Sequence, residues 1–329
     1  KDLDDGIDTT GKKMTVCQLY AKQIRHRGNV RYNTKNGRKR LMKLLQEDKL
    51  GGCPIDSVKL SDAKEWAIRM KEKGISYKTI SNDKRSLKAA FYTAIQDDCI
   101  RKNPFDFQLN TVIEDDTEPK VPLTPAQEES FLSFAQNDKV YQKYYDELII
   151  LLGTGLRISE LCGLTDTDID FENRIINVDH QLLRSAETGY YIETPKTKSG
   201  IRQIPMSEKV YEAFNRVLKR RRGAKAVTID GYSNFLFLNR DGYPKTATNY
   251  DGMFRGLAKK YNKYHEEALP KVMTPHTLRH TFCTNMANAG MNPKALQYIM
   301  GHSNITMTLN YYAHATFDSA KAEMLRIAA

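Results

Sequence analysis

"MTPHTLRHTF", residues 273–282, carries His276, Arg279 and His280 within one and a half helical turns. Thr274 suits the N-cap and Pro275 the first helical position, so the spacing predicts a helix starting here. On that helix positions i, i+3 and i+4 crowd one face. Groups that are positive, or can become so, repel one another at that range unless an anion is meant to lie between them. Zinc chelation by the two histidines is the competing reading. No glutamate follows His276 as in HExxH and no third ligand stands out, so no metal is expected.

Three other stretches offer related chemistry. "GTGLRISELCGL" (153–164) sets Gly153 and Gly155 around a turn and starts an amphipathic helix at Arg157. A cation there opposes the helix dipole unless it serves a bound anion. "TPKTKSGIRQIP" (194–205) reads as a hairpin with Lys196 and Lys198 at its tip. "IMGHSNITMTLNYYAHA" (299–315) gives a Gly301–His302 pair at a helix end, then a turn and a helix bearing Tyr311, Tyr312 and His314. Taken singly, each also suits a bland role: a core histidine, solvated lysines, one buried and one exposed tyrosine.

The 329 residues suffice for two domains, and 40% hydrophobic with 28% charged residues is a globular composition. No apolar run reaches the roughly 18 residues of a membrane span, and "ELIILLGTGL" (147–156) reads as a buried helix. There is no secretory signal, and the five scattered cysteines suggest free thiols in a reducing cytosol. Net charge is +11, yet residues 12–105 alone hold 23 Lys and Arg against 9 Asp and Glu. The excess positive charge therefore belongs to the N-terminal third, where it reads more naturally as the footprint of a polyanion partner than as a merely solvated face.

Residues 1–13 read as a polar leading linker and 14–105 as a bundle of about four helices. Ser61 and Ser76 are candidate caps, and "LGGCP" and "EKGI" are breaks. An acidic, Pro-containing linker covers 106–121. Residues 122–329 are mostly helical, with one small antiparallel sheet from "RIINVD" (174–179), "YYIET" (190–194) and "IRQIPM" (201–206). The fold class is thus mostly α: an N-terminal helical bundle followed by a mixed α+β domain.

In order, Arg157, Lys196, His276, Arg279, His302 and Tyr312, set in "TGLRISEL", "PKTKSGIRQIPM", "HTLRHTF" and "MGHSNITMTLNYYAH", resemble the active-site series of the tyrosine recombinases, the phage-integrase family. The resemblance spans essentially the whole chain and is nearest to integrases of Gram-positive conjugative transposons. It implies a SAM-like core-binding bundle (14–105), a catalytic domain (122–329), and site-specific integration and excision through a 3′-phosphotyrosyl intermediate without a cofactor. It implies roles as well. Arg157 and Arg279 grip the phosphate, His276 moves a proton or donates to the phosphate, His302 adds a hydrogen bond, and Lys196 protonates the departing 5′ oxygen. Lys198, two residues on, is the alternative acid. Tyr312 is preferred over Tyr311 because the family's nucleophile stands two residues before a histidine, here His314. His280 reads as structural behind Arg279, and Glu160 as a buttress for one of the arginines.

The partners implied are double-stranded crossover-site DNA, a dimer to tetramer of this chain on it with exchange of a terminal helix (317–328), and an accessory excision factor. The setting implied is the bacterial cytoplasm, at the nucleoid. Candidate DNA contacts are Arg31, Lys35, Arg38, Lys39, Arg40, Lys78, Lys84, Arg85 and Lys88 in the bundle, with Lys198 and Arg202 on the hairpin. Such integrases carry a further N-terminal arm-binding domain, and a chain opening at Lys1 fits its removal. Two alternatives stay open: relaxation of supercoils in the manner of a type IB topoisomerase, and a non-cleaving DNA-binding protein.

Overall fold

The computed structural model describes residues 13–28, 30–118, 121–195, 197–221, 227–312 and 324–325. Lys196, His314, the leading linker up to residue 12 and all but two residues of the 317–328 segment lie outside the described residues. The chain divides into two compact units, 1–119 and 120–329.

The first unit is built from α1 (Val16–His26), α2 (Tyr32–Gln46), α3 (Leu60–Glu72) and α4 (Tyr77–Gln96). α1 opens with a capping box, in which Gln18 N–H donates to the Thr15 hydroxyl at 3.3 Å and Thr15 N–H to the Gln18 amide oxygen at 2.8 Å. Ser76 caps α4 as expected. Ser61 does not cap α3. The Asp62 carboxylate accepts from Lys59 N–H at 2.8 Å and draws the helix start to Leu60. Apolar faces of the helices meet around Leu19, Leu41, Trp66, Leu87 and Phe91. Phe105 closes this core, its ring edge-on to Trp66 at 5.7 Å. The stretch expected to be a linker from residue 106 begins as packed chain. Leu109 and Ile113 join the same core, continuing a four-residue apolar spacing from Phe105 that its acidic neighbours obscure.

The second unit contains α5 (Pro125–Asn137), α6 (Tyr145–Thr154), α7 (Ile158–Gly163), strands β1 (Ile169–Asp170), β2 (Ile175–Val178), β3 (Gln181–Ser185), β4 (Gly189–Glu193) and β5 (Arg202–Pro205), then α8 (Glu208–Arg221), α9 (Ala247–Tyr264), α10 (Pro275–Asn288), α11 (Pro293–Met300) and α12 (Thr306–Leu309). α6, from the run read as a buried helix, packs against both α8 and α10 with Leu148, Ile150 and Leu151 fully buried. The strands form two antiparallel sheets rather than one: β1-β2-β5, with Ile176 opposite Ile204, and β3-β4, with Leu183 opposite Tyr191. Residues 194–205 are therefore not a hairpin. β4 turns back on β3 through Gly189 at φ +70°, while β5 pairs with β2. β3 escaped notice because Leu182 is its one buried large apolar residue, too little for a visible alternation. Among the described residues no helix is long and apolar enough to cross a membrane.

Candidate active site

The site is organised by the C-terminal end of α11. Asn292 caps its start, donor N–H groups of Lys294 and Ala295 reaching the Asn292 side chain. Its far end closes at Gly301, φ +60°, where His302 N–H donates back to the Gln297 carbonyl at 3.1 Å and Gly301 N–H to the Tyr298 carbonyl at 3.0 Å. The last carbonyls of a helix lack partners within it. Here Ile299, Met300 and Gly301 each receive an arginine. Arg202 Nε donates to the Ile299 carbonyl at 2.6 Å, Arg279 Nη2 to that of Met300, and Arg157 Nη2 to that of Gly301 at 3.0 Å. Three guanidiniums, from β5, from α10 and from the N-cap of α7, thus stand on three successive carbonyls at the negative end of a helix dipole.

Glu160 sits behind them, 3% exposed. Its Oε1 accepts from Arg157 Nη1 at 2.6 Å and Arg202 Nη1 at 3.1 Å, and its Oε2 from Arg157 N–H at 2.8 Å and Arg202 Nη2 at 2.8 Å. Burial alone would raise its pKa, but the Arg202 hydrogen bonds and the charges of Arg202, Arg157 and Arg279 outweigh burial and hold it at about 2. The expected buttress therefore grips two arginines. Arg202, expected to touch DNA, is corrected by the structure: it is 3% exposed, with its guanidinium turned inward. β5 alternates buried and exposed, and Arg202 shares the inward face with Ile204.

Arg279 is also buried, its Nη1 donating to the carbonyl of Gly155, the left-handed residue that ends α6. Burial first, and then the charge of Arg157, push its pKa down to about 9. It is charged at neutral pH, but an anion nearby would relieve it. His302 lies in the same cluster with Nδ1 2.9 Å from the Thr308 hydroxyl. Burial, then Arg279, Arg157 and Arg202, depress its pKa to about 4, so the imidazole is neutral near pH 7. His276 is exposed in the first turn of α10. His280 is half-buried one turn on, its Nε2 3.3 Å from the Tyr311 hydroxyl.

Tyr312 is not turned toward the arginines. Its hydroxyl donates to the Met291 carbonyl at 2.5 Å, and burial, with Cys283 nearby, raises its pKa. α12 ends at Leu309, so both tyrosines follow that helix instead of riding on it. Lys198 is exposed in a 3-10 turn, Lys198–Gly200. In the first unit Lys35, Arg38 and Lys39 line a groove beside Ile24 and Met42. Arg31, Lys78 and Arg85 are at least partly exposed. Among the cations proposed for DNA, Arg40 pairs with Asp83 at 2.5 Å, Lys88 pairs with Asp106 at 2.5 Å, and Lys84 lies over the Phe107 ring at 4.4 Å.

Glu160 was picked out in the sequence as a buttress for one arginine, three residues beyond Arg157. The triple use of the α11 carbonyls was not, since Arg157 lies 144 positions and Arg202 97 positions from the carbonyls they reach.

Residues 122–319 match the phage integrase family, and the chain belongs to it; its enzymatic class is that of the tyrosine-type site-specific recombinases. It is 69% identical, over 99% of its own length and 80% of theirs, to the transposase from transposon Tn916 of Enterococcus faecalis and to the transposase from transposon Tn1545 of Streptococcus pneumoniae. It is also similar to the Tn1549 transposon integrase, solved in complex with transposon right end DNA. That likeness is 78% identity with a TM-score of 0.91, over 96% of this chain and 100% of that one.

Proposed function

We propose that this chain integrates and excises a conjugative transposon, cutting and rejoining duplex DNA through a 3′-phosphotyrosyl intermediate. The observation that carries the reading is the pair of guanidiniums, Arg157 and Arg279, held on adjacent carbonyls, with burial and mutual repulsion favouring an anion between them. A scissile phosphate fits: two planar forks match its non-bridging oxygens and stabilise the charge of a pentacoordinate transition state.

Tyr312 leaves the Met291 carbonyl and attacks phosphorus, forming the Oη–P bond as the P–O5′ bond breaks. His276 accepts the tyrosine proton, or donates to the phosphate while solvent takes that proton, Lys196 or Lys198 protonates O5′, and neutral His302 donates a hydrogen bond. The 5′ hydroxyl of another strand reverses the step, so religation needs no external energy. The basic residues of 14–105 bind the duplex chiefly through phosphates, and the reaction runs in a dimer to tetramer on DNA with exchange of the 317–328 segment and an accessory excision factor.

The test is a nicked suicide duplex carrying the transposon right end, resolved on a denaturing gel. Tyr312→Phe loses the covalent adduct and keeps DNA affinity, whereas Tyr311→Phe keeps both. An adduct formed by Tyr312→Phe contradicts the assignment.

A further inference from the structure

We infer that Arg202 is a positioning residue for strand cleavage: it neutralises Glu160 and fixes the end of α11, so that Arg157 keeps its charge for the phosphate. This rests on the recombinase reading above and deepens it at the same site. The Arg202 side chain is fully buried and makes four internal contacts, two to Glu160, one to the Ile299 carbonyl and one to the Gly200 carbonyl at 3.2 Å. A guanidinium so enclosed exposes no donor to a DNA phosphate. Both oxygens of Glu160 are shared between Arg202 and Arg157. With Arg202 in place, the carboxylate's charge is already answered from within. Without it, Glu160 turns its whole charge on Arg157 and competes with the phosphate for the same fork. The Ile299 carbonyl loses its donor at the same time, and that carbonyl lies one residue from the Met300 group that holds Arg279. Gly301 fits this account, since a Cβ there would stand 3.1 Å from Arg202 Nη1 and 3.0 Å from the Ser199 carbonyl oxygen. Among the described residues, Arg157, Arg279 and His302 are the other charged or titratable groups that face Glu160 and Arg202 across this cluster.

The experiment compares the full chain with Arg202→Lys, Arg202→Met and Arg202→Met/Glu160→Gln on the right-end suicide duplex. It measures DNA affinity against salt, single-turnover cleavage at saturating DNA against pH, and melting temperature. Arg202→Lys and Arg202→Met are expected to bind DNA within about twofold of the unsubstituted chain and to cleave on the order of 10²-fold more slowly. In Arg202→Met the acid limb of the rate profile moves to higher pH, because Glu160 has lost the partner that held its proton off. Adding Glu160→Gln removes that limb and restores part of the rate, because the unanswered carboxylate is gone. A loss equal at every pH and not relieved by Glu160→Gln means a merely structural role and overturns the inference. Weakened affinity with a salt slope lower by about 1 means a phosphate contact, and also overturns it. If the unsubstituted chain forms no adduct, the recombinase reading falls and takes this inference with it. If it does and Arg202→Met cleaves equally fast, the inference alone falls. Should Arg202→Met fail to fold, Arg202→Lys and the double variant carry the same tests.

Discussion

His302 shows what crowding cations does to a single side chain. An ordinary histidine titrates near 6.5; here burial and three guanidiniums bring it to about 4. Between those values the unfolded chain holds a proton that the folded chain does not. Stability from this group is therefore complete above pH 6.5 and declines as pH falls toward 4. Glu160 adds a second, lower window, from its ordinary 4.5 down to about 2, in which protonation weakens its grip on both arginines. Melting temperatures measured from pH 3 to 8 should fall in both windows, and His302→Asn should flatten the upper one only. A slope unchanged by that substitution would mean a charged imidazole in the folded state. Arg157, Arg279 and His302, which the structure brings into one cluster, could be singled out in the sequence because their order and motifs left few bland explanations. Arg202 was misread because its lysine neighbours suggested a basic hairpin tip. The signal was there in the two-residue alternation with Ile204, which places a guanidinium indoors and demands an acid.

At the scale of elements, the account depends on how α11 stops. A left-handed residue at Gly301 turns three carbonyls toward three arginines. Gly301→Ala adds a Cβ against backbone and Arg202, at a φ that disfavours any Cβ, so roughly 1–3 kcal/mol of stability should be lost along with cleavage. Gly37→Ala is the contrast. Gly37 lies inside α2 with open space around it, and alanine there should add up to about 1 kcal/mol. Denaturant melts of the two variants check both signs. Helices were readable from caps and period, Thr274–Pro275 before α10 most clearly. Strand pairing was not, because β4 and β5 are neighbours in sequence but join different sheets. Nor was the end of the first unit, where Leu109 and Ile113 are apolar anchors among acids.

At the scale of the molecule, charge separates the roles. Residues 12–105 carry the positive excess, and the pair proposed to grip the phosphate, Arg157 and Arg279, belongs to the second unit. Sequence-independent affinity should therefore reside mainly in the first unit. Replacing Lys35, Arg38 and Lys39 together by alanine should lower the slope of log affinity against log salt by about 2–3, with little effect on cleavage at saturation. An unchanged slope would place the duplex elsewhere.

The cradle itself is tested most directly by removing the charge from the DNA instead of from the protein. A suicide duplex with a neutral methylphosphonate at the scissile position gives the arginines no anion to offset. Arg279→Ala should cut cleavage of the ordinary phosphodiester by roughly 10³-fold or more, by analogy with arginine fingers, yet slow the methylphosphonate far less. Equal losses on the two substrates would contradict the account.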